Sequence, residues 1–105
     1  MLNKPIEYLL LDGVSSTGAG EGVNVQRSVG LTYLIAASSV TTGGTVAIEA
    51  YINGEWVEVH SAAITADGNT LVRDLDAHYQ QIRANVTART DGTYTVSAIG
   101  TTTGL

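Results

Sequence analysis

Cysteine is absent from this chain of 105 residues. Disulfides, thiolate metal sites and cysteine nucleophiles are therefore excluded, and the redox compartment is left open. Phenylalanine is absent as well, and proline, methionine and tryptophan occur once each. Charge is scarce, at 14% of residues, and one-sided: five Lys and Arg stand against ten Asp and Glu, a formal −5. Holding nucleic acid by its phosphates needs a net basic face, and five basic residues scattered along an acidic chain do not make one. No long apolar run is present. The most apolar stretches, residues 8–11 and 29–37, fall far short of the roughly 20 residues that span a membrane. Residues 1–5 open without an apolar h-region, since Asp12 and Gly13 follow the leucines closely, so no signal peptide is expected.

What remains is rich in small and β-branched residues: 14 Thr, 12 Ala, 12 Gly and 11 Val. Thr and Val suit half-buried strands and Gly suits turns. With 44% apolar residues the chain has the makings of one folded core, with no room for a second. The period is two nearly throughout. Strands are expected at residues 6–12, 23–25, 28–37, 45–52, 55–60, 62–65, 70–75, 80–89 and 93–99, the weaker of them short edges. Residues 28–37 are apolar on both faces, which suits a central strand covered on both sides. A single helical turn within 74–83 is the one rival to strand. Residues 13–22 (GVSSTGAGEG) read as a mobile loop, and 100–105 as a flexible polar tail. The expectation is a single all-β domain over 1–105: an antiparallel β-sandwich, jelly-roll or immunoglobulin-like, of seven to eight short strands.

Two hairpins can be registered from their turns. Asn53-Gly54 as a two-residue type I′ loop pairs Ile52 with Glu55, Ala50 with Val57 and Ile48 with Val59. Tyr51 then lies opposite Trp56, and Glu49 opposite Glu58. For Asp91-Gly92, a three-residue loop with Gly92 left-handed pairs Val86 with Val96 and Ala88 with Tyr94, keeping the apolar residues together. The outer face of that hairpin carries Arg83, Asn85, Thr87 and Arg89 beside Thr93, Thr95 and Ser97.

Chemistry is sparse. Asp74, Asp76 and His78, at i, i+2 and i+4, would share one face of a strand and offer oxygen and imidazole to a divalent ion. A solvated strand end accounts for them as well, and no further ligands are in view. His60 reads as an exposed strand end. No Gly-x-Ser-x-Gly elbow positions a nucleophile, so no enzyme, metal or cofactor is expected. Gly18-Ala19-Gly20-Glu21-Gly22 has Val23 where a dinucleotide fingerprint needs its third glycine, and Glu21 would repel a pyrophosphate. Asn85-Val86-Thr87 is a glycosylation sequon without a secretory signal. The informative surface feature is the Tyr51–Trp56 pair: a hot spot for protein contact if exposed, a hairpin-stabilising pair if covered, and a platform for sugar stacking as a third reading. Glu49 opposite Glu58 is a like-charge pair. Arginines of a neighbouring copy or lattice could relieve it, or Arg83 and Arg89 could pair within the chain. The interface candidates are Tyr51, Trp56, Glu49, Glu58, Arg83 and Arg89.

From about Gly18 to Gly100, the segments GTVAIEAYINGEWVEV, ITADGN and QIRANVTARTDGTYTVSAIG resemble the small β-sandwich virion proteins of tailed bacteriophages. In such proteins a Gly-Thr-Val-x-Ile-Glu strand leads into an Asn/Asp-Gly-x-Trp hairpin, and an Ile-Arg-Ala-x-Val-Thr strand with a Thr-x-Gly-Thr-x-x-Val turn closes the domain. The resemblance implies a noncatalytic structural protein that decorates or cements the capsid, or sits near the head–tail or fibre junction. It implies a phage major capsid protein or other virion protein as partner, a homo-oligomer with a trimer among the options, and a place in the virion after assembly in a bacterial cytoplasm. The alternative is a carbohydrate-binding or host-adhesion module using Tyr51 and Trp56.

Overall fold

The computed structural model describes residues 5–26, 28–75 and 77–102, and among these there are strands and turns but no helix. The strands are β1 (Pro5–Val14), β2 (Gly18–Ala19), β3 (Val23–Asn24), β4 (Ser28–Ser38), β5 (Gly44–Ile52), β6 (Glu55–Ile64), β7 (Gly68–Asp74), β8 (Gln81–Arg89) and β9 (Thr93–Thr102). They form two antiparallel sheets, one in the order β1-β9-β4-β7 and one in the order β2-β8-β5-β6, with β3 also on β8. The two sheets pack as a β-sandwich.

The pairing has a simple generating rule. β5 pairs with β6, β4 with β7, β2 and β3 with β8, and β1 with β9. The chain is thus one long antiparallel ribbon, headed by the Asn53-Gly54 turn and closed at its open end by the two outermost strands. Rolled over on itself, that ribbon lays its arms alternately into two sheets, where β9 also meets β4 and β8 also meets β5. This is a jelly roll, and of the two sandwich types expected the immunoglobulin-like one does not fit the strand order.

The core lies where the inward residues of both sheets meet. Leu31, Tyr33 and Ile35 of β4, with Tyr94 and Val96 of β9, face Val46, Ile48 and Ala50 of β5 and Ile82 and Val86 of β8, each 2% exposed or less. At about 25 cal/mol per Å² of apolar area buried, this layer is the main source of stability.

The Asn53-Gly54 hairpin forms in the expected register up to Glu49 opposite Glu58. Asn53 at φ 52° and Gly54 at φ 81° are the two left-handed residues that a type I′ turn requires. Beyond it the register slips by one residue, so Ile48 meets His60 rather than Val59. Such a bulge turns the next side chain to the other face, and His60 swings inward. The expected strands 55–60 and 62–65 are one strand bent at this bulge.

Other expectations need correction. Residues 80–89 and 93–99 are not a hairpin: β8 and β9 lie in opposite sheets, and the segment 90–92 is an arch between them. Gly92 is left-handed as expected, at φ 102°, but Val86 and Val96 face the core from opposite sides rather than pairing. The supposed common outer face is split, with Arg83 and Asn85 on one sheet and Thr95 and Ser97 on the other. The turn 66–69 likewise joins strands of different sheets. Among the described residues of 74–83 there is no helical turn, and Asp76 lies outside them. Gly18–Ala19, inside the expected loop 13–22, pairs with Val86 and Asn85, and the Gly20 amide donates to the Ala84 carbonyl at 2.8 Å. The expected tail 100–105 begins inside β9, whose Gly100 is buried; residues 103–105 lie outside the described residues, as does the N-terminal segment 1–4. Finally, β4 is covered on one side only. Its outer face, with Val29 and Leu34, is open.

Candidate interaction surface

The outer face of the β2-β8-β5-β6 sheet collects most of the candidates, because antiparallel alternation sends Glu49 and Tyr51 of β5, Trp56 and Glu58 of β6, and Arg83 and Asn85 of β8 the same way. Tyr51 and Trp56 meet edge to face, with ring centroids 5.2 Å apart and planes at 61°. Arg83 lies over the indole with its guanidinium carbon 4.4 Å from the ring centroid, a cation–π contact. Its Nε donates to Glu49 Oε1 at 2.6 Å, and Asn85 Nδ2 donates to Glu49 Oε2 at 3.2 Å. The repulsion expected between Glu49 and Glu58 is therefore answered inside the chain. Arg83 is held on two sides, by a carboxylate and by a ring, and Trp56 and Tyr51 stack outward from it. Asn85 of the sequon spends its amide on Glu49.

The hairpin projects past the core. Tyr51, Ile52 and Val57 are 37%, 47% and 42% exposed, although Ile52 and Val57 belong to the core-facing rows of their strands. Trp56 is half-buried, and Gly22 approaches the far edge of the indole so closely that a β-carbon there would touch it. With Arg83 over one face, Gly22 at its edge and Tyr51 tilted against it, the indole offers less than the open flat face on which a sugar ring stacks.

Arg89 is not part of this patch. It pairs with Gly44 while Arg83 pairs with Glu49, some strand-turns away, and its Nε donates to the Gly92 carbonyl at 2.9 Å. It braces the β8–β9 arch. Asp91 on that arch is heavily hydrogen-bonded: Oδ1 accepts from the amides of Thr41, Thr42 and Gly43 at 3.1, 3.1 and 2.8 Å, and Oδ2 from Thr42 at 3.0 Å. The amides of Thr42, Thr41 and Gly43 hold this carboxyl below its ordinary value of 3.8. Beneath it Tyr94 Oη donates to the Asp91 carbonyl at 2.7 Å, and burial raises the phenol's pKa.

The residues weighed for metal binding do something else. Asp76 lies outside the described residues. Asp74 Oδ2 is 2.9 Å from His60 Nε2 and accepts from Tyr79 Oη at 3.0 Å. His60 is neither exposed nor at a strand end. It packs its ring 5.6 Å from that of Tyr33 and, with Asp74, ties β6 of one sheet to β7 of the other. Burial, then the charge of Asp74, pushes the Tyr33 phenol far above its ordinary value. Its hydroxyl is buried with no partner among the described residues, a cost of about 1–3 kcal/mol. Among the described residues no group of three or more His, Asp or Glu is placed to hold a metal ion.

The opposite face, on β1-β9-β4-β7, holds what sequence reasoning missed. Leu9, Leu71 and Ile99 are 55%, 63% and 46% exposed, and Leu71 and Ile99 line a shallow hollow together with Leu34, Thr32, Ser97 and Glu7. The signal was the doubly apolar pattern of residues 28–37, which reflects an uncovered apolar face and not a second covering layer.

No protein family and no curated protein matches the sequence. Among solved structures, the SPBc2 prophage-derived protein YomS is similar, with a TM-score of 0.74 and 18% identity over 97% of this chain and 96% of that one. A subunit of the Bacillus endospore appendages, described as a novel family of disulfide-linked pili, is similar with a TM-score of 0.52 and 10% identity, over 95% of this chain and 84% of that one. At these identities the likeness is one of fold. Without cysteine, this chain cannot make the disulfides of the latter.

Proposed function

We propose that the protein is a noncatalytic structural component of a phage-type virion, decorating or cementing an assembled lattice through protein–protein contacts. The observation that carries this reading is the likeness of fold, along almost the whole of both chains, to a prophage-derived protein of similar length. The site chemistry supports it. The His60–Asp74–Tyr79 cluster is spent on holding the sheets together, and the best-built surface feature is a hot-spot trio of Tyr, Trp and Arg fixed by Glu49. The partner is the major capsid protein or another virion protein, met in the bacterial cytoplasm during assembly. Binding the assembled lattice but not its dispersed subunits stabilises the lattice by mass action. In this reading Tyr51, Ile52 and Trp56 form the apolar centre of the contact, and Glu58 part of its rim. Arg89 serves the arch instead. The tilt and partial cover of the indole favour protein over sugar as the ligand.

The test is co-sedimentation with capsids assembled without this protein, beside titration against host polysaccharides. Saturable co-sedimentation is expected, weakened roughly 30-fold, or about 2 kcal/mol, by Trp56→Ala. Binding to polysaccharide with none to capsids would replace this reading by adhesion.

A further inference from the structure

The two outer faces of the sandwich differ in kind. That of β2-β8-β5-β6 carries the Glu49–Arg83–Asn85 network, whereas that of β1-β9-β4-β7 carries apolar side chains and, in Glu7 and Arg73, two opposite charges with no ion-pair partner among the described residues. Its outward residues fall into rows across the four strands. One row reads Leu9, Ser97, Leu34, Leu71, and the next reads Glu7, Ile99, Thr32, Arg73. A third brings Pro5, Thr101 and Val29 together, with Leu75 (73% exposed) beyond β7. Glu7 and Arg73 stand at opposite edges of one row, three strand spacings or roughly 14 Å apart, too far to pair with each other. Asp12 stands at the rim, beyond the bulge in β1.

We infer that this face binds a second copy of the chain, packed sheet on sheet about a two-fold axis that lies in the interface along the strands, between β9 and β4. That operation exchanges β1 with β7 and β9 with β4. It sets Glu7 of each copy against Arg73 of the other, Leu9 against Leu71, and Ser97 against Leu34, while Ile99 falls on Thr32. A contact of this kind is isologous, and the row of residues is complementary to its own image. The apolar row supplies its centre and the two ion pairs its rim and register. A partner of uniform charge would match one edge and be repelled at the other, so the antisymmetric arrangement favours a copy of the chain itself. Sheets stacked in this way lie roughly 10 Å apart with their strands about 30° off parallel.

Size sets the strength. Four strands at about 4.8 Å spacing over the seven residues of β7 give roughly 450 Å² per copy, or about 900 Å² in all, below the range of stable complexes. The free dimer is weak and rapidly reversible, and it becomes dominant where a lattice holds copies close together. This inference stands on the β1-β9-β4-β7 face and does not depend on the virion reading, which is carried by the likeness of fold and uses the other face.

Sedimentation equilibrium of the full chain, up to about 1 mM, tests it. The parent is expected to show a monomer–dimer equilibrium. Glu7→Arg and Arg73→Glu, each exposed and each checked for folding by circular dichroism, should weaken it at least about tenfold by opposing like charges. The double variant should recover, and the two single variants mixed should associate with each other more tightly than either with itself. Trp56→Ala should dimerise like the parent. A parent that stays monomeric, single variants that dimerise like the parent, a double variant no better than the singles, or loss of dimer in Trp56→Ala would each overturn the inference.

Discussion

Two glycines show how different the demands of single residues are in this molecule. Gly54 needs only its backbone freedom: at φ 81° a β-carbon would meet nothing within 4 Å. Gly54→Ala should therefore cost about 1 kcal/mol, the ordinary penalty for a side chain in the left-handed region. Gly43, at φ 103°, would drive its β-carbon into the Ile64 carbonyl oxygen, and backbone cannot step aside as a flexible side chain can. Gly43→Ala should cost more than about 3 kcal/mol. Denaturant titrations that give the two variants equal losses would contradict these assignments. Gly54 was legible in the sequence because a type I′ turn is a local device, announced by Asn-Gly. Gly43 was legible only as a turn residue, since its steric role depends on Ile64 of a strand it does not follow. His60 was misread for a related reason. The bulge at Val59 leaves no mark on the alternating pattern, yet it decides which way the imidazole points.

At the scale of elements, the β8–β9 arch shows what a turn signal conveys and what it does not. Thr90-Asp91-Gly92 announces a reversal, and a reversal occurs. Whether the next strand returns beside its predecessor or crosses to the other sheet depends on which ladders are already filled. β5 and the short strands β2 and β3 occupy both sides of β8, leaving β9 to enter between β1 and β4. Asp91 locks the crossing by gathering three amides of the 41–43 turn. Because its folded pKa is depressed, this carboxylate contributes stability fully present above the unfolded value near 3.8. That contribution is lost as the pH falls through the lower folded value. The parent should accordingly lose thermal stability between pH 5 and 2, with this group among the causes. Asp91→Asn, which turns a donor toward the amides, should melt lower at pH 7 and depend less on pH across that window. An unchanged pH slope in the variant would show that the clamp has no part in acid sensitivity. Of the six interface candidates, alternation about the Asn53-Gly54 turn put Glu49, Tyr51, Trp56 and Glu58 on one face, and Arg83 joins them only through the β5–β8 ladder, which no local signal announced. Arg89 leaves that face because the ladder slips between Val46 and Thr45, and such a slip turns the residues beyond it over.

For the whole molecule, composition and period sufficed for an all-β sandwich, since Thr, Val and Gly in alternation leave few other ways to bury a core. Strand order was out of reach, because every pair except β5 with β6 joins strands distant in sequence, and no local pattern distinguishes one apolar partner from another. The ribbon that emerges has a mechanical consequence. Its two ends leave the same edge side by side, Pro5 opposite Thr101. Tension applied between them loads the cross-strand bonds one after another, as in opening a zip, because those bonds lie perpendicular to the strands. Moving the second handle from the end of β9 to Thr93, at its start, would instead drag β1 along β9 and load the whole ladder at once. Optical-tweezer pulling should therefore open the molecule at distinctly lower force from residues 5 and 102 than from residues 5 and 93. Equal forces would mean that the β1–β9 seam is not the first to yield. A load spread over the broad faces would meet both sheets at once, whereas a load on the two ends opens them strand by strand.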